Sequence, residues 1–481
     1  MIKGSNTLTA TVEPAASDQD LGDSDVLWAA SSYLSRPPAR KQLTGCRSAR
    51  CVNWRRARAG DPPSLIRASR APCFARDPQH EEISEGGSGT WIDGPLGIST
   101  QLVHAGVKPD PTTGAILTPL YQSTTFVQAS IDEYLSKGYS YSRTTNPTVK
   151  ALETKIAELE GGVGATCFST GMAATTTVMS AFLKQGDHCV VTDCSYGGTN
   201  RICRLFFMDL GITYSFVDFR DPKNVEAAIQ PNTKLIFSET PANPTLTLTD
   251  LAAVSKIAKA KGILHVCDAT FATPIMCKPI ELGADMTLQS TTKYYDGHNM
   301  TVGGAIASAT KELDERLHFV QNMHGNIMSA HTAFTTLQTC KTMAVRVKQQ
   351  ASSAQAIAEF LEAHPKVETC RYPGLASFPQ KALADAQHKN GHHGGMLWFE
   401  VKGGTSAGRK LMDSVQRPWS LCENLGAVES IITCPSVMTH ANMLKEDRMK
   451  VGITDGFVRV SVGLEDPADL IKSLKTALDA I

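Results

Sequence analysis

Short apolar runs alternate with segments of helical spacing along the middle of the chain. The apolar runs lie at Ala165–Ser169, Cys189–Thr192, Leu235–Ser238, Ile263–Cys267 and Met286–Gln289. The helical segments between them lie at Gly171–Leu183, Asn224–Ile229 and Asp250–Lys261. Strands that are buried on both faces need not alternate polar and apolar residues. This order therefore predicts an α/β fold with a mainly parallel central sheet and helices on both faces.

The pattern changes in the last third of the chain. A long helical stretch at Ala330–His364 precedes two apolar strands, Met396–Val401 and Phe457–Val462, and a closing helix at Pro467–Ile481. Strands and helices in this irregular order predict a smaller C-terminal α+β domain.

The first 95 residues lack sustained periodicity. They contain Arg-rich clusters at residues 36–40 and 55–58, and residues 84–90 have the composition of a flexible linker. Five acids between residues 13 and 25 argue against an organelle transit peptide, because such peptides are poor in acids. We therefore predict a disordered extension on a cytoplasmic protein, with organelle targeting as the less favoured alternative.

The composition of the chain gives no support for several classes of function. Lys plus Arg and Asp plus Glu both number 47, so a formal net charge of zero gives no support for nucleic-acid or membrane-surface binding. The 13 cysteines form no CxxC pair, which predicts reduced and mostly buried thiols. The doublet His392-His393 is predicted to lie in a solvated loop, and no metal site is expected.

Polar residues follow two of the predicted strands where each strand ends. Lys293 comes after Met286–Gln289 together with the hydroxyls of Ser290 and Thr292, and Asp268 follows Ile263–Cys267. The carboxyl ends of parallel strands share one edge of a sheet, where ligands bind. A buried carboxylate needs a partner, and a protonated pyridine nitrogen is a fitting one. Taken alone, Lys293 could equally be a surface lysine and Asp268 a helix N-cap.

Three further positions fit the same chemistry. The turn Thr170-Gly171-Met172 starts a helix whose N–H groups could bind a phosphate. Tyr196 could stack on a flat ring, and Arg459 in an apolar strand could pair with a carboxylate. Each has an ordinary structural explanation when taken singly, namely a tight turn, a loop aromatic and an internal salt bridge. A nucleotide-binding glycine loop is not present, and this argues against an NAD-dependent oxidoreductase.

The joint order of these motifs resembles one known family. From about Gly97 to the end, the chain is similar to the cystathionine γ-synthase/γ-lyase group of fold-type I PLP enzymes, the Cys/Met metabolism family; PLP is pyridoxal 5′-phosphate. The resemblance rests on seven segments: Tyr141–Thr148, Ser169–Met172, Tyr196–Arg201, Glu239–Pro244, Asp268–Phe271, Ser290–Lys293 and Ser461–Glu465. Seven motifs in the order of the family are far more specific than any one of them.

The resemblance implies a set of cofactor residues. Lys293 would hold PLP covalently, Asp268 would pair with the ring nitrogen, and Tyr196 would stack on the ring and transfer protons. The full cofactor set is Tyr141, Arg143, Thr170, Gly171, Met172, Tyr196, Asn243, Asp268, Thr270, Ser290, Thr292 and Lys293. Tyr141 and Arg143 would reach the cofactor of the neighbouring subunit, which implies a dimer at least and a homotetramer as the usual assembly.

The resemblance also implies a division of the chain into four regions. These are an extension at 1–95, an arm that contacts the neighbouring subunit at 96–155, a PLP-binding large domain at 156–345 and a small domain at 346–481.

The resemblance also implies the substrate residues and the reaction. The substrate set is Ser140, Arg143, Tyr196, Arg201, Asn243, Glu429, Ser430 and Arg459, with Arg459 as the main carboxylate anchor. Ser140 is a departure, because an acid often precedes the tyrosine of the Tyr-Ser-Arg motif in this group. The turn from Tyr196 to Arg201 is similar to that of eukaryotic γ-lyases, which predicts α,γ-elimination of L-cystathionine with H₂S release from cysteine as a side activity. Cystathionine γ-synthase, cystathionine β-lyase and a non-catalytic PLP-binding protein remain the alternatives.

Overall fold

The larger of two β-sheets has seven strands. The computed structural model describes residues 95–438 and 445–481, which belong to one compact unit. The strands of this sheet are β1 (Gly164–Phe168), β2 (His188–Thr192), β3 (Thr213–Val217), β4 (Thr233–Glu239), β5 (Leu264–Asp268), β6 (Met286–Gln289) and β7 (Gly304–Ser308). Their spatial order is β1-β7-β6-β5-β4-β2-β3. Only β7 runs antiparallel to its neighbours, so the predicted mainly parallel sheet is confirmed.

Side chains of successive residues in the central strands pack into different hydrophobic clusters. On β7, Ala305 and Ala307 pack in one cluster with Leu152, whereas Ile306 packs in another with Val178. Both faces of the sheet are therefore covered by helices, which explains why the apolar runs show no alternation. The strands β3 and β7 were not predicted, and the small residues of β7 have low strand propensity.

Fourteen α-helices are present in the described residues. They are α1 (Ile98–His104), α2 (Pro147–Glu160), α3 (Gly171–Phe182), α4 (Gly197–Ile202), α5 (Pro222–Ala228), α6 (Leu251–Ala260), α7 (Thr273–Met276), α8 (Lys311–His324), α9 (Ala330–Thr339), α10 (Met343–Glu362), α11 (Lys381–Gln387), α12 (Gly404–Ser414), α13 (Lys445–Lys450) and α14 (Pro467–Ala480). Local chemistry sets their ends. Helix α2, for example, begins at Asn146, whose side chain accepts the N–H of Thr148, and ends at Gly161 in the left-handed conformation.

The smaller sheet has five strands in the C-terminal region. They are β8 (Val367–Arg371), β9 (Met396–Val401), β10 (Ser420–Leu421), β11 (Ile431–Thr433) and β12 (Phe457–Ser461), in the order β10-β11-β12-β9-β8. All neighbours except β10 and β11 are antiparallel. Helices α10, α12 and α14 share a core with this sheet, as an α+β region requires. The predicted domain limits at residues 155 and 345 stay predictions.

The stretch predicted to be helical at Ala330–His364 is helical from Ala330 to Glu362, but it is divided into two α-helices. A 3₁₀ turn at Cys340–Thr342 separates α9 from α10. The buried Arg346 donates from Nη2 to the carbonyl of Thr339 at 3.2 Å, and the N–H of Met343 bonds to Cys340 instead. The arginine therefore takes up an acceptor that a continuous helix would use for its own ladder.

The prediction that the doublet His392-His393 lies in a solvated loop is wrong for His393. Its side chain is buried, and its Nδ1 lies 3.1 Å from Nδ1 of His388. The local sequence is polar, but His393 packs edge-on against the ring of Tyr372, and its Nε2 lies 3.5 Å from Oδ1 of Asp385 on α11. Nine of the ten described cysteines are buried, Cys422 is exposed, and none of these ten is in a disulfide.

The predicted N-terminal extension lies outside the described residues up to position 94. Within residues 95–438 and 445–481, no helix has the length and apolar content needed to cross a bilayer. The same residues contain no cluster of His, Cys, Asp or Glu with the arrangement of a metal site.

Candidate active site

A cavity of about 370 Å³ opens at the carboxyl ends of the parallel strands. Its wall includes eleven of the residues predicted from sequence: Thr170, Gly171, Met172, Tyr196, Asn243, Asp268, Thr270, Ser290, Thr292, Lys293 and Arg459. They come from β-strand ends of the large sheet, from the start of α3 and from β12 of the small sheet. The cavity therefore forms where the two sheets meet, and it brings together residues almost 290 positions apart in sequence.

Lys293 is a half-buried residue in the wall of this cavity. Its Nζ donates to Oδ1 of Asn424 at 2.5 Å. Burial, together with the positive charge of Arg459, lowers the pKa of Lys293 to about 8, and the carboxylate of Glu423 acts in the opposite direction. About a tenth of Lys293 is consequently a neutral amine at pH 7, which is the form that a base or nucleophile requires.

Two carboxylates lie side by side at the ends of neighbouring strands. Asp268 ends β5 and pairs in register with Glu239 at the end of β4. Burial raises the pKa of Asp268, and burial together with the charge of Asp268 raises the pKa of Glu239. Asp268 accepts the N–H of Thr270 at 3.0 Å, but within the described residues neither carboxylate has an ion pair with Lys, Arg or His. A buried acid pair without a cation is suited to bind a cationic group.

Glu239 also positions two residues of the cavity wall. Its Oε2 accepts the backbone N–H of Tyr196 at 2.7 Å, and its Oε1 accepts the N–H of Asn243 at 2.8 Å. The side chain of Asn243 in turn accepts from Nη1 of Arg459 at 3.0 Å. One carboxylate thus links a tyrosine of the large sheet to the arginine of the small sheet.

Arg459 is almost completely buried, with 4% of its surface exposed. Its Nη2 donates to the carbonyl of Asn424 at 3.1 Å. Burial lowers its pKa to about 10, and Glu423 and Tyr196 act in the opposite direction. Arg459 therefore remains a cation at neutral pH, held at the cavity by neutral acceptors, and retains its preference for an anionic ligand.

The start of α3 forms a tight cradle. The hydroxyl of Thr170 accepts the N–H of Ala173 at 2.9 Å, and the preceding N–H groups of the first turn have no intrahelical acceptor. A Cβ on Gly171 would lie 3.0 Å from both Cβ and Oγ of Ser290, so only glycine keeps this space open. N–H groups and hydroxyls at the start of a twelve-residue helix suit an anion such as a phosphate.

Tyr196 lies at the mouth of the cavity with 45% of its surface exposed. A Cβ on Gly198 would come within 2.6 Å of Cε1 of Tyr196 and 2.7 Å of Sδ of Met172. The glycine in this turn therefore lets the tyrosine ring lie against the start of α3.

The remaining predicted residues do not line the cavity. Tyr141 is exposed, and Arg143 donates from Nη1 to Oδ1 of Asn322 at 2.5 Å. Residues of the predicted substrate set that also lie elsewhere are Ser140, Arg201, Glu429 and Ser430. Ser430 is buried, and its hydroxyl donates to Oε2 of Glu465 at 2.7 Å, which leaves that hydroxyl donor unavailable to a substrate.

Comparisons with known proteins match this architecture. The model of the family described as Cys/Met metabolism PLP-dependent enzyme matches residues 99–479. The chain belongs to this family. A cystathionine γ-lyase of Bacillus subtilis is 44% identical over 79% of the chain and 99% of its own length, and a cystathionine β-lyase of Coxiella burnetii is 43% identical over 79% and 97%. The crystal structure of a cystathionine γ-synthase from Xanthomonas oryzae pv. oryzae in complex with aminoacrylate and cysteine has a TM-score of 0.78 at 39% identity, and it covers 80% of this chain and 99% of that one.

Membership in the Cys/Met metabolism family confirms the fold class, the cofactor and the conclusion that the protein is an enzyme. The relatives carry the names of three reactions that all involve the carbon–sulfur bonds of cystathionine. The chain is therefore a PLP-dependent enzyme of cystathionine metabolism.

The residues of the cavity fit PLP. The acid pair at Asp268 and Glu239 offers a partner for a protonated ring nitrogen, the cradle at Gly171 and Ser290 has room for a phosphate, and Lys293 presents a partly neutral amine. These three features stand on geometry and charge alone and agree with the cofactor of the family.

Sequence reasoning missed Glu423 and Asn424. Both line the cavity, and Asn424 contacts Lys293 and Arg459. They lie in an irregular segment between β10 and β11, so neither strand periodicity nor a strand end marked them. Glu239 was part of a quoted motif, but its position at the end of an apolar strand was the signal that could have identified it as a companion of Asp268.

Proposed function

We propose that this enzyme catalyses the α,γ-elimination of L-cystathionine, in which cystathionine and water give L-cysteine, 2-oxobutanoate and ammonia. The observation that carries the proposal is the pair of charges on the cavity wall. Arg459 suits the α-carboxylate of an amino acid, and Glu423 offers a carboxylate to a second ammonium group. Cystathionine carries such a second ammonium, whereas cysteine and homoserine derivatives do not.

Six groups would hold the cofactor. Lys293 would bind PLP covalently, the carboxylate of Asp268 would accept the N–H of the ring nitrogen, and Tyr196 would stack on the ring. The first-turn N–H groups of Gly171 and Met172 and the hydroxyl of Ser290 would bind the phosphate, with Thr170, Thr270, Thr292 and Asn243 around them. When bound, PLP supplies an electron sink for the electron pair that remains after the Cα–H bond of the substrate breaks.

Lys293 would move two protons. With Nζ released by the incoming substrate amine, the neutral amine would take the proton from Cα, pass that proton on to the conjugated system of the bound cofactor, and then be neutral again to take one from Cβ. Its pKa of about 8 supports this role, because the fraction of neutral amine increases as the pH rises towards that value. The second removal is needed because charge must reach Cβ before a group on Cγ can leave.

Tyr196 would donate a proton to the departing sulfur. Its backbone is held by Glu239, and its ring lies at the open side of the cavity, where the leaving group departs. The turn from Tyr196 to Arg201 resembles that of eukaryotic γ-lyases and differs from that of bacterial β-lyases, which supports γ-elimination over β-elimination, whereas the γ-synthase reaction would use the same residues.

Analysis of the products from cystathionine alone tests the proposed reaction. We expect cysteine and 2-oxobutanoate in equal amounts. Homocysteine with pyruvate would instead identify a β-lyase. An absence of turnover until an activated homoserine and cysteine are supplied would identify a γ-synthase.

The Glu423→Gln variant tests the second charge. We expect kcat/KM for cystathionine to fall about fivefold, because a partly exposed ion pair contributes about 1 kcal/mol. The value for cysteine should change less, since cysteine has no distal ammonium to lose a partner. Steady-state kinetics on both substrates measure the ratio, and an equal decrease for both would contradict the assignment.

Tyr141 and Arg143 are proposed to complete the cofactor site of a neighbouring subunit, which makes the homotetramer the expected assembly. Both lie outside the cavity of their own chain, as such a role requires. Arg201 and Ser140 stay predicted substrate residues on the same basis.

A further inference from the structure

Three consecutive hydrogen bonds connect the half-buried Lys293 to an exposed carboxylate. Nζ of Lys293 donates to Oδ1 of Asn424 at 2.5 Å, and Nδ2 of Asn424 donates to Oδ1 of Asn299 at 2.5 Å. Nδ2 of Asn299 then donates to Oε2 of Glu429 at 2.8 Å. We call this series of residues, from Lys293 through Asn424 and Asn299 to Glu429, the amide chain.

The carboxylate of Glu429, at the outer end of the amide chain, determines how the two amide groups are oriented. An ionised carboxylate can only accept hydrogen bonds, whereas an amide has a donor end and an acceptor end. Glu429 therefore turns the NH₂ group of Asn299 outward and its oxygen inward. Asn299 does the same to Asn424, so Lys293 meets a carbonyl oxygen and not an NH₂ group.

The loop that carries Asn299 is held independently of this chain. Oδ2 of Asp296 accepts the N–H groups of His298 and Met300, at 3.2 and 2.9 Å. Asn299 itself has φ of 55°, a left-handed conformation that asparagine and glycine tolerate better than other residues. The side chain of Asn299 can therefore be removed by a change to glycine without a backbone conflict.

Glu429 has no described direct contact with Lys293. The charges that act on Lys293 through space are those of Arg459 and Glu423, and the other ionisable groups on the cavity wall are Asp268, Glu239 and Tyr196. The described path from Glu429 to the lysine runs through the two amides.

We propose that Asn299 and Glu429 are positioning residues, which orient the amide of Asn424 so that its oxygen holds the free ε-amine of Lys293 in the cavity. The proposal rests on the proposed function in one respect, namely that Lys293 is the lysine that binds PLP. It assigns to Glu429 a role in place of the predicted contact with the distal ammonium of the substrate.

Competitive acetylation of Lys293 in the full-length protein after removal of PLP tests the amide chain. Only the neutral amine reacts with trace acetic anhydride, so the yield of the acetylated Lys293 peptide against pH reports the midpoint of its titration. We expect Glu429→Gln and Asn299→Gly each to lower this midpoint by about half a unit to one unit, because a reoriented or unsupported amide no longer stabilises the ammonium form. In the loaded enzyme, the acidic limb of the pH profile of kcat should move to lower pH as well.

Two controls separate the amide chain from a simple loss of charge. Glu368→Gln removes an exposed carboxylate from β8 and should leave the midpoint unchanged. In the double variant of Asn299→Gly and Glu429→Gln, the midpoint should equal that of either single variant, because both changes break the same chain. Additive shifts, an equal shift for Glu368→Gln, or no shift in either single variant would overturn the proposal.

The failure of the proposed function would look different. Borohydride reduction fixes PLP to the lysine that holds it, and peptide mapping identifies that lysine. PLP fixed to a lysine other than 293 would overturn the proposed function, whereas the acetylation midpoint tests the amide chain without reference to the bound cofactor.

Discussion

The Lys293→Ala variant is expected to lose at least about 10³-fold in kcat with cystathionine, because a positioned acid–base group contributes 10²–10⁴-fold and this one has two proton transfers to perform. Among the described residues, no other lysine lines the cavity, so no second amine can substitute. The variant should also carry no PLP after borohydride reduction and denaturation. Steady-state kinetics and the mass of the reduced protein measure the two effects.

Lys341→Ala is the matched control for this prediction. Lys341 is half-buried and donates from Nζ to Gln338 at 2.8 Å, outside the cavity. Its removal should leave both the borohydride-fixed PLP and the pH profile in place. Parental turnover by Lys293→Ala would refute the assignment of the base.

The Asp268→Asn variant is expected to lose about 10- to 10³-fold in kcat at saturating PLP. An opposite charge within hydrogen-bond distance shifts a pKa by 1–3 units, so the amide would leave the ring nitrogen protonated in a correspondingly smaller fraction of molecules. Without that proton, the electron sink that Lys293 relies on when it removes the Cα proton is weaker. Kinetics at several PLP concentrations separate this loss from a loss of cofactor affinity.

Asp285→Asn provides the comparison at the opposite ends of the same strands. Oδ2 of Asp285 accepts the N–H of His265 at 2.8 Å, and Asp285 precedes β6, away from the cavity. Each variant removes one carboxylate from the edge of the large sheet, so a difference between them reports the site. Equal kcat values for the two variants would remove the support for Asp268 as the partner of the ring.

The shared architecture agrees with the variety of reactions among the relatives. In the proposed mechanism, Lys293, the acid pair and Arg459 serve the steps at Cα, which β-elimination, γ-elimination and γ-replacement have in common. What differs must lie in how the distal part of the substrate is held and in how a second nucleophile enters. Here Glu423 is a described carboxylate on the cavity wall that is placed to meet a distal ammonium. Glu429, which was predicted for that contact, lies outside the cavity wall and accepts from Asn299.

Much of the fold and eleven residues of the cavity wall could be predicted because the information is local. Asp268 and Lys293 follow apolar runs directly, and the ends of parallel strands must meet at one edge. Gly171 follows a strand and starts a helix, so its role as a cradle also has a local cause. Strand β7 escaped prediction because glycine, alanine and serine carry little strand signal, and only burial on both faces makes them a strand.

Glu429 and Ser430 show what local pattern cannot decide. They are adjacent in sequence, yet Glu429 is exposed and bonds to Asn299, whereas Ser430 is buried and bonds to Glu465. The local sequence is compatible with either an exposed or a buried side chain at both positions. Which of the two occurs therefore depends on which distant element packs there.

By itself, the sequence determined the alternating sheet, the strand-end lysine and aspartate, the helix start for a phosphate and hence the family and its cofactor. Each of these follows from residues that are neighbours along the chain. Only the tertiary structure decided that Glu239 stands beside Asp268, that Asn424 and Glu423 reach the lysine, and that Asn299 links Asn424 to Glu429. The physical reason is that hydrogen bonds and charge act over a few ångströms in space. Pairing of β4 with β5 brings Glu239 within that range of Asp268, and packing of the small sheet on the large one does the same for residues that are more than a hundred positions apart.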